Sequence, residues 1–146
     1  MTRKKNKTQS TGLRDGDRLM FDNFKEWYNL NRNSSFYVRN KKFQSFLNDN
    51  DITLDYKSSI PQTAKKNTIV YKGDRSVVRD LARHIRNAHS HSRIRRRGDY
   101  FIMMDITPKR KDRPEEVTMR GKIHVNLMQA LLDAIRENKR DRCKKQ

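Results

Sequence analysis

Polar and apolar residues are sorted into three stripes along a predicted helix between Asp74 and Ser92. At about 100° per residue, an apolar stripe separates from an arginine stripe and from a stripe of mixed polar residues. The first contains Val78, Leu81, Ile85 and Ala88, the second contains Arg79, Arg83 and Arg86, and the third contains Asp80, His84, Asn87 and His91. This sorting predicts a polar site beside an anion-binding surface.

Imidazole and guanidinium groups on one helix suit the cleavage of RNA without a metal. That reaction needs a base for the 2′-OH proton, an acid for the 5′-oxygen leaving group and cations for the charge that develops on phosphorus. Imidazole suits the proton transfers because its ordinary pKa is about 6.5. Guanidinium stays charged and binds two phosphate oxygens at once. The products would be a 2′,3′-cyclic phosphate and a 5′-OH.

The segment Arg86-Asn87-Ala88-His89-Ser90-His91 resembles the signature of HEPN-domain ribonucleases, in which a polar residue follows an Arg and a His comes a few positions later. Residues 74–138 also resemble a plasmid- and phage-associated branch of that superfamily. The resemblance implies that His91 is the acid/base residue, that Arg86 clamps phosphate, and that Asn87 bonds His91 or a partner chain. It further implies a homodimer, a toxin or abortive-infection role, and no cofactor.

Two overlapping matches compete with the set of Arg86, Asn87 and His91. Arg79-Asp80 with His84, and Arg83-His84 with His89, also satisfy the pattern. The Arg86 set is preferred because its second residue is Asn, because it ends its helix, and because His89 points to the apolar face. We expect His89 in the core or an interface, whereas His84 is either a solvated residue or a second catalytic imidazole.

Arg86 and His91 are about 140° apart on a regular helix, so one protomer does not readily bring them together. A homodimer that joins two copies of the motif across a two-fold axis would solve this. A zinc site formed by His84, His89, His91 and Cys143 has unfamiliar ligand spacing, so we expect no metal.

A cluster of basic residues, Arg93-Ile94-Arg95-Arg96-Arg97, directly follows the predicted site. Its spacing after the helix favours contacts with phosphates, which position a nucleic-acid backbone without reading sequence. The predicted RNA-binding residues are Arg79, Arg83, Arg93, Arg95, Arg96 and Arg97.

The elements that position these residues are predicted from apolar spacing. Residues 1–18 are expected to form a flexible basic arm, and helical spacing begins at Leu19. Ser34-Ser35 is predicted to cap a second helix, and residues 52–72 to form a short helix or an irregular segment. The core is predicted to contain Phe21, Phe24, Trp27, Phe43 and Phe46.

The C-terminal half predicts two strands and a last helix. Tyr100–Ile106 is rich in aromatic and β-branched residues, and Val117–Val125 alternates with period two. An amphipathic helix containing Leu127 and Ile135 follows, then a basic tail over residues 139–146. The expected fold is mainly α, a small helical bundle with an inserted β-hairpin, formed by a HEPN-like domain over residues 19–138.

The overall charge points to a polyanion as partner. The 146 residues carry 35 Lys+Arg against 17 Asp+Glu, a formal net charge of +18. RNA is the first expectation. The alternatives to a ribonuclease are a non-catalytic nucleic-acid-binding module and a protein that binds an acidic antitoxin or the ribosome.

The chain contains no apolar run that suits a membrane or a secretory signal. Its longest, Tyr100 to Met104, is far shorter than the roughly 20 residues that span a bilayer. A single cysteine, Cys143, cannot form an internal disulfide and fits a reducing compartment. We therefore expect a cytoplasmic protein without a membrane partner.

Overall fold

The computed structural model describes residues 11–37, 39–73, 76–108 and 111–140. Within these ranges the chain forms four helices and five strands. In chain order they are α1 (Asp15–Asn31), α2 (Lys41–Asp49), β1 (Thr53–Tyr56), β2 (Thr68–Tyr71), α3 (Val77–Ser90), β3 (Ile94–Arg97), β4 (Tyr100–Thr107), β5 (Glu116–His124) and α4 (Val125–Glu137).

The strands form one mixed sheet in the order β1-β2-β5-β4-β3. Strands β1 and β2 are parallel, and the other three pairings are antiparallel. The expectation of a mainly α bundle is therefore wrong, because the chain has an α/β fold in which the predicted hairpin, β4 and β5, is the centre of a five-stranded sheet. The sheet has five strands because the short strands β2 and β3 pair with the two outer edges of the hairpin, and β1 pairs with β2.

Those short segments lack the patterns that identify strands. Residues 52–72 contribute β1 and β2, where a short helix or an irregular segment was expected. The basic cluster Arg93–Arg97 contains the whole of β3, Ile94–Arg97, although three of the four residues in that strand are arginines. A tight two-residue turn, Gly98-Asp99, folds β3 back onto β4, and Gly98 has the positive φ of 60° that glycine adopts without strain.

The first two helices differ in their bounds from the predicted ones. Helix α1 begins at Asp15, four residues before Leu19, and α2 begins at Lys41 because the side chain of Asn40 accepts bonds from the first free N–H groups of that helix. The segment between them is not helical, and Phe36 pairs there with Lys139. Residues 1–10 of the predicted arm and residues 141–146 of the predicted tail lie outside the described part of the chain.

Helix α3 has a defined cap at each end. The Ser76 hydroxyl accepts a bond from the backbone N–H of Arg79. At the other end, the N–H groups of Ser92 and Arg93 bond the carbonyls of His89 and Ala88, and Ser92 has a φ of 57°. This is the Schellman arrangement. It turns the chain from α3 directly into β3.

The core lies between the helices and one face of the sheet. That face contributes Phe101, Met103, Met119, Ile123 and Ile69, all fully buried or nearly so. The apolar stripe predicted for α3 packs against them, and Phe21 and Phe24 of α1 complete the core. The helices therefore form one layer and the sheet a second.

None of the helices in the described ranges is long and apolar enough to cross a membrane.

The burial pattern predicts unequal effects of one substitution at two helical positions. Leu81 of α3 is fully buried, whereas Leu30 of α1 is 79% exposed. We expect Leu81→Ala to lower the free energy of unfolding by about 2–5 kcal/mol, because it removes buried methyl groups and leaves a cavity. Leu30→Ala should change it by less than about 0.5 kcal/mol. Urea unfolding monitored by circular dichroism measures both, and equal effects would contradict this assignment of the core.

Candidate nucleic-acid interface

The arginine stripe of α3 faces the C-terminal part of α1. The guanidinium of Arg86 lies 5.0 Å from the ring centre of Tyr28, and its Nη1 donates to the Asn29 side chain over 3.3 Å. One turn earlier in α3, Arg83 forms a 3.2 Å ion pair with Asp80. Two of the three arginines are thus held by neighbours in the same chain.

Asp80 is buried and has two kinds of partner. Besides Arg83, it accepts a hydrogen bond from the hydroxyl of Tyr56 on β1. Burial raises the pKa of the neighbouring Tyr71, and the nearby Tyr56 and Asp80 raise it further. Tyr71 is therefore a neutral donor, and its hydroxyl bonds the carbonyl of Val77 over 2.8 Å. A side chain at Gly73 would collide with Tyr56 and Asp80.

His84 is a buried structural residue rather than a solvated one. Its ring is enclosed in the protein, with Nε2 2.6 Å from the carbonyl of Lys72 and Nδ1 2.7 Å from Oδ2 of Asp105. Because a carbonyl only accepts, Nε2 carries a hydrogen. A second proton lies between Nδ1 and Asp105, since two bare acceptors would repel at this distance.

Asn87 belongs to the same buried cluster. Its amide donates to Oδ2 of Asp105 over 3.3 Å. Asp105, on β4, is 4% exposed, so its carboxyl group is held by two side chains of α3. This cluster joins α3 to the sheet.

His91 caps the C-terminus of α3 and is exposed. The three predicted catalytic residues consequently have three different surroundings in one chain. Arg86 contacts α1, Asn87 contacts Asp105, and His91 faces outward. No described contact joins the side chain of Arg86 to that of His91.

His89 lies at the interface between α3 and α1, as its position on the helix predicts. Its Nε2 is 2.7 Å from Oδ1 of Asp22, and its ring packs against Phe21 with a centre distance of 5.6 Å. Only 14% of the side chain is exposed. This contact orients α1 antiparallel to α3.

The cluster Arg93–Arg97 divides between the two faces of the sheet because side chains alternate along a strand. Arg96 points to the helix side, where its Nη1 lies 3.1 and 3.2 Å from the two carboxylate oxygens of Asp17. It also lies over Phe101 at 5.8 Å. Arg96 therefore anchors α1 to β3, whereas Arg95 and Arg97 are exposed on the opposite face.

That opposite face carries several basic side chains. It surrounds an open cavity of about 580 Å³. We call this surface the basic sheet face, and it consists of the cations Arg93, Arg95, Arg97, Arg120 and Lys122 around Tyr100, Ile102 and Met104. Among the described residues that line the cavity, none is acidic.

Cross-strand register explains how these residues meet. Arg95, Ile102 and Lys122 are successive partners across β3, β4 and β5. Lys122 lies over the ring of Tyr100 at 5.1 Å, and His124 meets the ring edge at 5.3 Å. The Nε of Arg120 is buried and has no hydrogen-bond partner in the described part of the chain. An anion at this face would provide one.

The other end of the same face is covered. Residues Ile60, Pro61 and Ala64 of the segment between β1 and β2 line a cavity over Val70, which is buried without belonging to the main core. The basic sheet face is therefore limited to strands β3, β4 and β5.

Sequence reasoning missed four residues: Arg120 and Lys122 of the basic sheet face, the buried Asp105, and Arg32, which lies beside Arg83 and Arg86 between α1 and α3. Arg120 and Lys122 alternate with the apolar residues of the predicted strand Val117–Val125, so period two alone would have placed them on the outer face. The same alternation along the predicted strand Tyr100–Ile106 places Asp105 on the inner face, with Phe101 and Met103. Arg32, at the end of α1, carries no comparable signal, because its position depends on the packing of α1 against α3.

Comparison with protein-family models, with curated proteins and with solved structures finds no match for this chain. The likeness to HEPN ribonucleases thus remains a prediction from the sequence. Within the described ranges, no group of three or more His, Cys, Asp or Glu side chains is placed to bind a metal ion. Cys143 lies outside those ranges.

Two His→Ala substitutions separate a structural histidine from an exposed one. His84→Ala leaves the buried carboxyl of Asp105 without its main partner, and we expect it to lower the free energy of unfolding by about 3–5 kcal/mol. His91→Ala should change it by less than about 0.5 kcal/mol. Urea unfolding at neutral pH measures both values. A small effect of His84→Ala would show that this cluster does not anchor α3.

Proposed function

We propose that this protein binds single-stranded RNA on the basic sheet face. The observation that carries the proposal is the combination of five cations, an apolar and aromatic centre, and a lining without acidic side chains. A formal net charge of +18 supplies a long-range attraction to any polyanion, so the arrangement of the face, and not the charge alone, carries the proposal.

Each part of the face suits one part of an RNA strand. The exposed guanidinium groups of Arg95 and Arg97 and the half-buried ammonium group of Lys122 suit phosphates. Ile102 and Met104 offer an apolar strip to bases beside the ring of Tyr100, which itself packs against Lys122 and His124. Such a strip is useful only where bases are unstacked and unpaired. Binding of this kind is tolerant of sequence, because every base has a ring face. The cytoplasm is the compartment that fits this ligand.

Removing two charges from the basic sheet face should weaken RNA binding. We expect Arg95→Gln combined with Lys122→Gln to raise the Kd for a single-stranded oligonucleotide roughly tenfold. The slope of log K against log salt should fall in magnitude by about 1.4, because two phosphate contacts are lost. Fluorescence anisotropy over a series of salt concentrations measures both quantities.

The matched control removes the same charge elsewhere. Lys41→Gln combined with Lys42→Gln alters two exposed residues of α2, in the helical layer. This variant should keep the Kd within about threefold of the native value, since only long-range charge is lost. Equal weakening by both double variants would exclude a specific role for the face. Tighter binding of a duplex than of a single strand would contradict the proposed ligand.

A metal-independent ribonuclease is a second candidate, favoured by the exposed imidazole of His91. The residues that follow it, Ser92 and Arg93, line the cavity of the basic sheet face, so RNA on this face would pass near the imidazole. In such cleavage the 2′-oxygen loses a proton and attacks phosphorus, and the bond to the 5′-oxygen breaks as that oxygen gains a proton. Because Arg86 contacts α1, a homodimer would have to complete the site.

This second candidate predicts cleavage in excess EDTA. The native protein should cut single-stranded RNA to 2′,3′-cyclic phosphate ends, and His91→Ala should reduce the rate by at least about a hundredfold through loss of general acid–base catalysis. RNA binding should be retained. The control, Ser90→Ala, alters a neighbouring exposed residue and should cut normally. Unchanged cutting by His91→Ala, or a requirement for Mg²⁺, would contradict the mechanism.

A further inference from the structure

A second basic site lies in the helical layer, separated from the basic sheet face by the sheet. It is a cleft of about 380 Å³ between the C-terminal end of α1 and residues 79–86 of α3. We call it the arginine cleft, because four of the seven residues that line it are Arg32, Arg79, Arg83 and Arg86. The others are Tyr28, Asn33 and Asp80.

The antiparallel packing of α1 and α3 creates this cleft. Arg86 rests on Tyr28, and Arg32 follows Tyr28 by one helical turn, while Arg83 and Arg79 precede Arg86 along α3. The guanidinium groups of two helices therefore converge on one space. Such convergence costs free energy unless an anion compensates it.

Too few acidic side chains line the cleft to balance the charge of these arginines. Asp80 is the one carboxylate lining the cleft in the described part of the chain, and it already binds Arg83 and Tyr56. Neither Arg32 nor Arg79 forms an ion pair with any described residue. The Nε of Arg86 is buried and lacks a hydrogen-bond partner within the same ranges. Four guanidinium groups against one carboxylate leave an excess of three positive charges.

We propose that the arginine cleft binds an oligophosphate, a chain of linked phosphates as found in a nucleoside triphosphate or at the 5′-triphosphate end of an RNA. A single phosphate group supplies at most about two negative charges, which is less than the excess in the cleft. Guanidinium forks bind phosphate oxygens in pairs, so four of them suit a chain of phosphates. Arg86 covers the ring of Tyr28, so this ring is not open to stacking with a base. The proposed ligand therefore needs only its phosphates inside the cleft.

Inorganic tripolyphosphate is the probe that tests this site without a base or a sugar. Calorimetric titration should show binding to the native protein, and the melting temperature should rise with its concentration because ligand binds only the folded state. Arg32→Gln combined with Arg79→Gln should weaken that binding about tenfold for each arginine lost. Neither substitution removes a described ion pair, so an unchanged melting temperature without ligand verifies that the variant is folded.

The double variant Arg95→Gln with Lys122→Gln is the matched control. It should retain the tripolyphosphate binding that the cleft variant loses, whereas the cleft variant, whose Arg32 and Arg79 lie off the basic sheet face, should retain binding of a 5′-hydroxyl RNA oligonucleotide. The two sites are thereby tested separately, and failure of RNA binding would leave the cleft proposal intact. Equal tripolyphosphate affinity in the native and cleft variants, or affinity no higher than that for sulfate at matched ionic strength, would overturn it.

The source of the oligophosphate is distinguished with two further ligands. Tighter binding of 5′-triphosphate RNA than of 5′-hydroxyl RNA of the same sequence, abolished in the cleft variant, would identify an RNA end. Binding of ATP without such a preference between the RNAs would identify a free nucleotide. Binding of neither ATP nor the triphosphate end, despite uptake of tripolyphosphate, would overturn the biological class of ligand proposed.

Discussion

The buried contact between His84 and Asp105 determines how α3 sits on the sheet. One imidazole ring bonds a carboxyl group of β4 and the carbonyl of Lys72, the residue after β2. Asn87 adds a second bond from α3 to the same carboxyl group. With the rotation of α3 set by these bonds, its arginines face α1 and its apolar stripe faces the sheet. The arginine cleft depends on that orientation.

The few acidic residues near the core select which basic residues are available to a ligand. Asp17 pairs with Arg96, Asp22 with His89 and Asp105 with His84. Each pair ties two elements together and removes a cation or an imidazole from the set that can bind a ligand. The cations of the basic sheet face and three arginines of the cleft, Arg32, Arg79 and Arg86, have no comparable carboxylate partner among the described residues. Which basic residues are available to a ligand therefore depends on where acids are absent as much as on where arginines are present.

The sequence predicts the long, periodic elements well. Helix α3, strands β4 and β5 and helix α4 follow from apolar spacing, because each is long enough to show its period and each buries a face against the core. The sheet beyond β4 and β5 was missed for two reasons. Strands β1 and β2 have four residues each, and β3 consists largely of arginines whose extended conformation comes from pairing with β4.

The sequence predicts some residues of the candidate site but not their arrangement. The separation of Arg86 from His91 around the helix was expected, and the structure gives them different surroundings. The identity of the buried histidine was not predictable, because Asp105 lies 21 residues from His84 and its approach depends on the tertiary fold. The same reason explains why the sequence places Arg96 among the RNA-binding residues. Its partner Asp17 lies 79 residues away in the chain, so their contact depends on the tertiary fold.

The sharp turn at Ser92 has a consequence for the way ligands influence one another. It leads into β3, where the exposed Arg95 and Arg97 lie on the side of the sheet opposite the arginines of α3, with at least the roughly 10 Å thickness of a helix or sheet layer between them. That distance exceeds the Debye length of about 8 Å at physiological salt, so a charge bound on one side is largely screened from the other. The two surfaces are therefore expected to fill independently, and the molecule would act as a connector that holds two anionic ligands apart.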